Sequence, residues 1–457
     1  MSNENMPNVT AQKETEISYN QTLGFWDLFF IAVGTIIGSG IMVMTGRAIA
    51  MTGRSVAFAY VGSAIWVICM GVPTVLMTSC IRLLGGGYTQ FNLFVGEKYG
   101  GFYLAISLLG QMGHNLYAQT FAVYSCELLN ISVDVWMRPI AAACIILFYF
   151  INFFGVDAMA KAQNFMSALL LVVLFWFTVR GFPKIQPGFF GEGFMTNGFK
   201  GLFAASTLLT YALLGGTGVM PYSADAKNPK RDLPLAAAIS TIAVAVLFAF
   251  MGAVCAGVLP IEQVANQTLS MVARHILTYP EYVVFMVGGA LFAAATTLNG
   301  TIGSVAKSTV MMSYDGWLPR SMAVLHPKYN TPWKWQIFYF IMTMLPLILN
   351  FNISQVTDIT LLGSYTLTCI NIWGLLKMPK MFPKQWEESM FHMPNGVFYV
   401  LMWICLAASV SNVWGMITSS TIENIIINVA VMVAGLAFSL IRWNSGKVVP
   451  SKSWQDA

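Results

Sequence analysis

Twelve apolar stretches alternate with short polar connections along the chain. They fall near residues 24–49, 56–80, 102–129, 139–155, 162–179, 202–220, 235–258, 283–305, 335–349, 356–376, 397–416 and 424–441. Most approach or exceed the roughly 20 residues with which a helix crosses the hydrocarbon core of a bilayer. Lipid offers no partner to backbone polar groups, so such runs must close their hydrogen bonds within helices. The pattern therefore predicts an all-α integral membrane protein of about twelve transmembrane helices. Two of the runs are interrupted in the middle. The first reads Gly34-Thr35-Ile36-Ile37-Gly38-Ser39-Gly40-Ile41, and the sixth reads Thr210-Tyr211-Ala212-Leu213-Leu214-Gly215-Gly216-Thr217-Gly218.

Glycine costs a helix about 1 kcal/mol relative to alanine. A break at membrane depth survives only where the freed amides and carbonyls face protein, a cavity or a ligand. Amides at the start of a half-helix, backed by its dipole, make a seat for a carboxylate. Taken alone, Gly34-x-x-x-Gly38 also fits a simple close-packing motif between helices. The recurrence in span 6 changes that balance. Spans 1 and 6 are five spans apart, so they occupy matching places in two five-span halves of opposite orientation. Paired interrupted helices in such halves point to an inverted-repeat transporter with its site near the midplane.

Composition agrees with the pattern. Hydrophobic residues make up 57% and charged residues 9% of the 457 positions, against about 25% charged in soluble proteins, which excludes a water-soluble globule. With the N-terminus inside, 17 of the 24 Lys and Arg residues fall in inner segments and 7 in outer ones. The positive-inside rule then places both termini in the cytosol, in a multi-pass protein of the cytoplasmic membrane. The net charge of +5 follows from that bias and does not argue for nucleic acid. Residues 1–21 read as a polar cytosolic tail without the apolar core of a signal peptide, and 443–457 as a second cytosolic tail. The seven cysteines lie in or beside spans without paired spacing, which argues against a disulfide framework or a metal centre.

The third span carries Gln111, His114, Asn115 and Gln119, a polar face at helical spacing. Polar groups at such depth line the bundle interior or a water-filled cavity. His114 is a candidate for contact with substrate or proton, and interhelical hydrogen bonding is the competing reading. The other histidines, His275, His326 and His392, lie in connections. A membrane-embedded enzyme would need clustered His, Asp or Glu within the spans, so no catalytic residues and no cofactor are expected.

Four short motifs complete the picture: Gly38-Ser39-Gly40-Ile41, Gly85-Gly86-Gly87-Tyr88, Lys227-Asn228-Pro229-Lys230-Arg231-Asp232-Leu233-Pro234, and Asp315-Gly316-Trp317-Leu318-Pro319 followed by His326-Pro327-Lys328. In this order and spacing, over residues 22–380, the chain resembles the amino acid–polyamine–organocation (APC) superfamily of secondary transporters. The resemblance implies a ten-helix core of two inverted repeats, 22–180 and 199–380, working by alternating access, with two accessory helices over 395–442. It also implies a substrate carboxylate on the amides of Gly38, Ser39 and Gly40. The amino group would meet carbonyls of Ile36 or Ile37 and of Tyr211 to Leu214. The candidate substrate-binding set is Ile37, Gly38, Ser39, Gly40, Ile41, His114, Tyr211, Leu213, Leu214, Gly215 and Gly216.

The chain departs from the family pattern in places. Leu76-Met77-Thr78-Ser79 stands where members often carry a glutamate, Gly216 stands where a second aromatic is common, and Lys307 replaces an arginine. Some members hold a lysine inside span 5 in place of a sodium ion, whereas here Lys161 precedes the span. Ala293-Ala294-Ala295-Thr296-Thr297 in span 8 instead resembles the sodium-binding spacing of coupled members. The implied sodium set is Gly34, Ile37, Ala293, Thr296 and Thr297, oxygen ligands suited to a hard cation. Back-bonding of the two threonines within their own helix is the alternative, and a proton is the alternative coupling ion. The expectation is a transporter of an amino acid, with a neutral one favoured because the breaks carry no fixed charge. An exchanger of polyamine or decarboxylated amine, or a channel or transceptor on the same fold, is the rival. The sequence leaves the oligomeric state open.

Overall fold

The computed structural model describes residues 21–83, 85–191, 193–351, 353–450 and 454–456. The expected N-terminal tail, apart from Gln21, lies outside the described residues, as do the side chains of Ser39 and Lys307.

The first apolar run folds as two helices, α1 (Phe25–Ile36) and α2 (Ser39–Thr52), separated at Ile37-Gly38. The second is α3 (Val56–Cys80), followed by the short strand β1 (Ile81–Leu83) and α4 (Gly86–Phe94). Next come α5 (Gly100–Gln111), α6 (His114–Leu129), α7 (Val133–Phe153) and α8 (Val156–Gly181). The sixth run ends its helix α9 (Gly198–Leu213) at the predicted glycine cluster and resumes as a 3-10 helix, Gly216–Ala224. Then follow α10 (Pro229–Val258), the short α11 (Ile261–Val264) and α12 (Leu269–Ile276), and α13 (Tyr279–Phe285). A π-helical turn over Met286–Leu291 joins α13 to α14 (Phe292–Tyr314). The chain closes with α15 (Trp333–Ile348), α16 (Ile353–Leu375), the short α17 (Met378–Met381) and α18 (Pro383–Glu387), α19 (Asn395–Ser419), α20 (Ile422–Asn444) and the strand β2 (Trp454–Asp456).

Eight helical segments among the described residues are long and apolar enough to cross a membrane, and α1 is a shorter apolar helix. Large side chains such as Phe58, Phe165, Phe203, Phe250 and Trp403 stand exposed on their outer faces. A soluble monomer does not tolerate such a surface; in lipid it is the solvated one. The chain is thus an all-α multi-pass membrane protein, with β1 and β2 as its small antiparallel exception.

The structure differs from the sequence-based expectation at three places. The third run is not one helix: it turns at Met112-Gly113, where Gly113 N bonds Gly110 O rather than a carbonyl four residues back. The polar stretch from Lys307 onward begins as helix and not as a loop, because α14 continues to Tyr314. The glycine run Gly85–Gly87, between the second and third apolar runs, starts the additional helix α4, with Gly86 at φ 53°, a left-handed conformation that glycine adopts without strain.

Leu23 and β2, near the two ends of the described chain, both pack beside the segment around residues 223–226. Leu23 bridges Ala226, with Leu23 N on Asp225 O at 3.0 Å and Lys227 N on Leu23 O at 2.9 Å. β2 pairs with β1, whose Leu83 carbonyl accepts from Ser223 Oγ at 2.6 Å and whose Arg82 Nε donates to Ser223 O at 3.0 Å. Burial depresses the Arg82 guanidinium and the nearby Asp225 carboxylate opposes that shift.

Inside the bundle a chain of amides ties four helices to α1. Gln336 Nε2 donates to Asn152 O (3.0 Å), Asn152 Nδ2 to Asn299 Oδ1 (3.0 Å), and Asn299 Nδ2 to Gln163 Oε1 (2.8 Å). Ser167 Oγ then donates to Phe30 O at 2.9 Å. Asn299 and Gln163 are fully buried, so loss of one partner strands an acceptor that no water reaches. Asn299→Leu is expected to lower stability by about 1–3 kcal/mol. Thermal unfolding of the purified protein checks this; an unchanged midpoint would show that the amides find substitutes.

Candidate functional site

α1 stops where Gly38 interrupts its apolar periodicity. Ile37 N still bonds Val33 O at 2.8 Å, but Gly38 N turns back to Ile36 O at 2.9 Å. Gly38 then caps α2 in extended conformation without a side chain to satisfy the new helix start. The first amides of a helix have no intrahelical partner, so Ser39, Gly40 and Ile41 present uncapped N–H groups and the positive end of the α2 dipole. In the sixth run Leu214 N makes the last helical bond, to Thr210 O, and Gly215 takes φ 138°, which L side chains rarely adopt. The carbonyls of the last α9 turn mark the opposite, negative pole.

These two breaks lie against each other. A Cβ added at Gly40 would sit 2.6 Å from Ala212 Cα, and one at Gly215 would overlap the Thr35 carbonyl oxygen. Thr35 Oγ1 meets Gly215 O at 3.0 Å. The glycines thus allow backbone to touch backbone where α1–α2 crosses α9. Gly216 is pressed toward Thr241 of α10, where a Cβ would overlap Thr241 Oγ1.

Around the other side of the α1 break, four of the five residues of the implied cation set converge on one hydroxyl. Thr297 Oγ1 lies 2.9 Å from Gly34 O, 3.0 Å from Ala293 O and 3.4 Å from Ile37 O. One hydroxyl proton serves one of these carbonyls at a time, so the cluster is rich in oxygen lone pairs and poor in donors. Thr296 Oγ1 instead stays on its own helix, 2.7 Å from Phe292 O and 3.2 Å from Ala293 O.

The remaining candidates are distributed around this junction. Ile37, Ile41 and Leu213 are fully buried. Tyr211 opens with Arg47, Met44 and Tyr365 on a cavity of about 880 Å³ between α2, α6, α9, α16 and α19. Leu214, Gly215 and Gly216 line another, of about 730 Å³, with Met70 and Tyr365. Among the described residues, no Asp or Glu lines either cavity. The polar set of the third run is split. Asn115 Nδ2 donates to Thr343 O at 3.0 Å, and Gln119 bonds Asn115 Oδ1, so both serve packing against α15. His114 and Gln111 open on a different cavity, shared with none of the break residues.

Sequence reasoning passed over Tyr117 and Gln163. A Cβ at Gly38 would touch the Tyr117 ring at 3.7 Å, and one at Gly34 would overlap Gln163 Nε2. For Gln163 a signal existed, a buried-type amide four residues before Ser167 in an apolar helix. Tyr117 is one aromatic among many, and only tertiary contact singles it out.

A helical membrane protein whose two glycine-broken helices cross at mid-bundle has the architecture of a transporter. Residues 23–438 match the amino acid permease family, and the chain belongs to it. It is 24% identical to the branched-chain amino acid permease BcaP of Bacillus subtilis (strain 168), over 82% of this chain and 85% of that protein. It is 24% identical to the methylthioribose transporter of the same organism, over 71% and 74% respectively. With cationic amino acid transporter 1 of Arabidopsis thaliana it shares 23% identity over 68% of this chain and 55% of that one.

Proposed function

We propose that this protein is a secondary transporter of a neutral amino acid, working by alternating access across the cytoplasmic membrane with both termini cytosolic. The observation that carries the reading is the junction of the two breaks, which sets the uncapped start of α2 beside the carbonyl end of α9. A zwitterion matches that polarity: its carboxylate takes the amides of Ser39, Gly40 and Ile41, and its ammonium takes carbonyls from Ile37 and from Tyr211 to Leu214. Of the seat expected from the sequence, the Gly38 amide is spent on the Ile36 carbonyl at 2.9 Å, so Ile41 N–H takes its place and Ile37 O that of Ile36. In the proposed architecture the chain crosses the membrane twelve times, and the matching breaks belong to two inverted five-helix repeats.

A cationic side chain would require a desolvated carboxylate partner, and the described residues of the two cavities beside the junction include Arg47 but no acid. The apolar linings instead suit an aliphatic side chain, in keeping with the branched-chain permease among the relatives. A decarboxylated amine would leave the α2 amides unused. Sodium is the proposed coupling ion, held by Gly34 O, Ile37 O, Ala293 O and Thr297 Oγ1, with Thr296 contributing only after its hydroxyl leaves Phe292 O.

Ligand that binds the native state raises its stability by about 2.7 kcal/mol at a hundredfold excess over Kd. L-Leucine, L-isoleucine and L-valine are expected to raise the unfolding midpoint of the purified protein in sodium buffer, and to do so less in potassium buffer. L-Lysine, putrescine and cadaverine should leave it unchanged. A shift confined to the diamines would overturn the carboxylate seat, and a sodium-independent shift would overturn the coupling ion alone.

A further inference from the structure

Leu361, Ser364, Tyr365 and Thr368 recur at helical spacing on one face of α16. All four line the cavity of about 730 Å³, and Leu361 and Tyr365 line the cavity of about 880 Å³ as well. This pair, one helical turn apart, is thus a wall common to both spaces. Tyr365 is 7% exposed, so its ring is built into that wall. Another face of α16 is held by close contacts. A Cβ at Gly363 would lie 3.1 Å from Ile106 Cγ2 of α5, and one at Gly113, in the turn between α5 and α6, 3.2 Å from Thr360 Oγ1. Such packing fixes the rotation of α16 and with it the place of the ring.

The two cavities reach the α9 break from opposite sides. Tyr211, before the break, lines the larger one, and Leu214, Gly215 and Gly216, at it, line the smaller. With the N-terminus cytosolic, α2 occupies the outer half of the membrane, as do the residues of α9 before its break. The larger cavity, which touches Val43 and Met51 of α2, is then the outer one. The smaller runs to Met390–Met393, between α18 and α19 at the cytosolic end. A zwitterion seated between α2 and α9 can send its side chain into either space, and Tyr365 stands on the wall of both. Removing a ring from a packed wall leaves a hole, because the surroundings relax only in part. We infer that Tyr365 partitions the transport path into outer and inner cavities and sets the largest side chain that the protein accepts. The size limit rests on the function proposed above, and the partition between the cavities on their walls alone.

Right-side-out membrane vesicles carrying the full chain test both parts. Thr368→Cys puts a thiol on the inner cavity, and an impermeant methanethiosulfonate, the ethyltrimethylammonium reagent, is added outside, with labelling of the native cysteines subtracted. Thr368→Cys is expected to be protected, to lose that protection when Tyr365→Ala is added, and to keep it with Tyr365→Phe, which retains the ring. L-Phenylalanine is expected to compete with L-leucine about tenfold or more better in Tyr365→Ala than in the parent, the discrimination that a filled pocket exerts on a larger side chain. That gain cannot arise from misfolding, and Tyr365→Phe should not show it. Lost protection in vesicles that bind no L-leucine would keep the partition and sink the amino acid reading instead. A thiol labelled already in Thr368→Cys alone, protection that survives Tyr365→Ala, or a leucine-binding Tyr365→Ala protein as closed to L-phenylalanine as its parent overturns the proposal.

Discussion

Gly40→Leu is expected to reduce amino acid uptake at least about a hundredfold while the protein still assembles as a helical bundle. A Cβ at this position lies 2.6 Å from Ala212 Cα and 2.9 Å from Ala212 Cβ. The first obstacle is backbone, so no rotamer change relieves it, and the crossing of α2 with α9 must open. Overpacking of this kind costs about 1–3 kcal/mol, which membrane helices can survive. The binding geometry does not survive it, because the α2 amides and α9 carbonyls must address the two ends of one small zwitterion. A tenfold loss corresponds to about 1.36 kcal/mol, so separating one end accounts for the expected hundredfold. Gly396→Leu is the control, since a Cβ there meets nothing within 4 Å. Uptake into proteoliposomes, with size-exclusion and unfolding profiles for both variants, makes the comparison. Ala212→Gly in the Gly40→Ala background should recover part of the activity, because it removes the second contact and leaves the first. Full activity in Gly40→Leu would show that the helix crossing is not the substrate site.

Thr297→Val is expected to weaken sodium stimulation of uptake, raising the sodium concentration for half-activation about tenfold or more, as loss of about 1.4 kcal/mol or more of cation binding predicts. The substitution keeps the shape and removes the one hydroxyl that Gly34 O, Ile37 O and Ala293 O all approach. Valine adds no donor and no acceptor, so a cation loses a ligand, and the α1 break loses its tie to α14. Thr297→Ser should behave like the parent protein. Thr296→Val should have a smaller effect, because the Thr296 hydroxyl is spent within α14. Initial uptake rates against sodium, at constant ionic strength, read both variants. An unchanged sodium curve in Thr297→Val would falsify the assignment of coupling to this cluster, whatever the effect on maximal rate.

Much of the architecture was legible in the chain because lipid imposes simple rules. An uninterrupted apolar run must be helical, and a glycine cluster inside one must break it; the ends of α1 and α9 obey both. The turn at Met112-Gly113 escaped because its run stays apolar on both sides and Gly110 and Gly113 read as tolerated helix glycines. The extension of α14 to Tyr314 escaped for the opposite reason. Its polar residues resemble a loop, yet Ser313, Thr309 and Met312 are buried against neighbours and keep the helix going. Polar periodicity on the third run misled as well: the turn separates Gln111 on α5 from Asn115 and Gln119 on α6, and His114, next to Asn115, lies about 100° around α6 from it.

By itself, the sequence determined that this is a helical membrane protein, where two of its helices break, and which motifs follow the breaks. Those properties depend on local composition and on the absence of water in the bilayer. Only the tertiary structure decided what faces each break: Ala212 against Gly40, Thr35 against Gly215, Tyr117 near Gly38, and Thr297 rather than Thr296 among the α1 carbonyls. It also decided that His114 belongs with Gln111 and Asn371 in a cavity of its own. Helix rotation and crossing are set by packing between segments more than a hundred residues apart, and spacing within one segment carries no record of that.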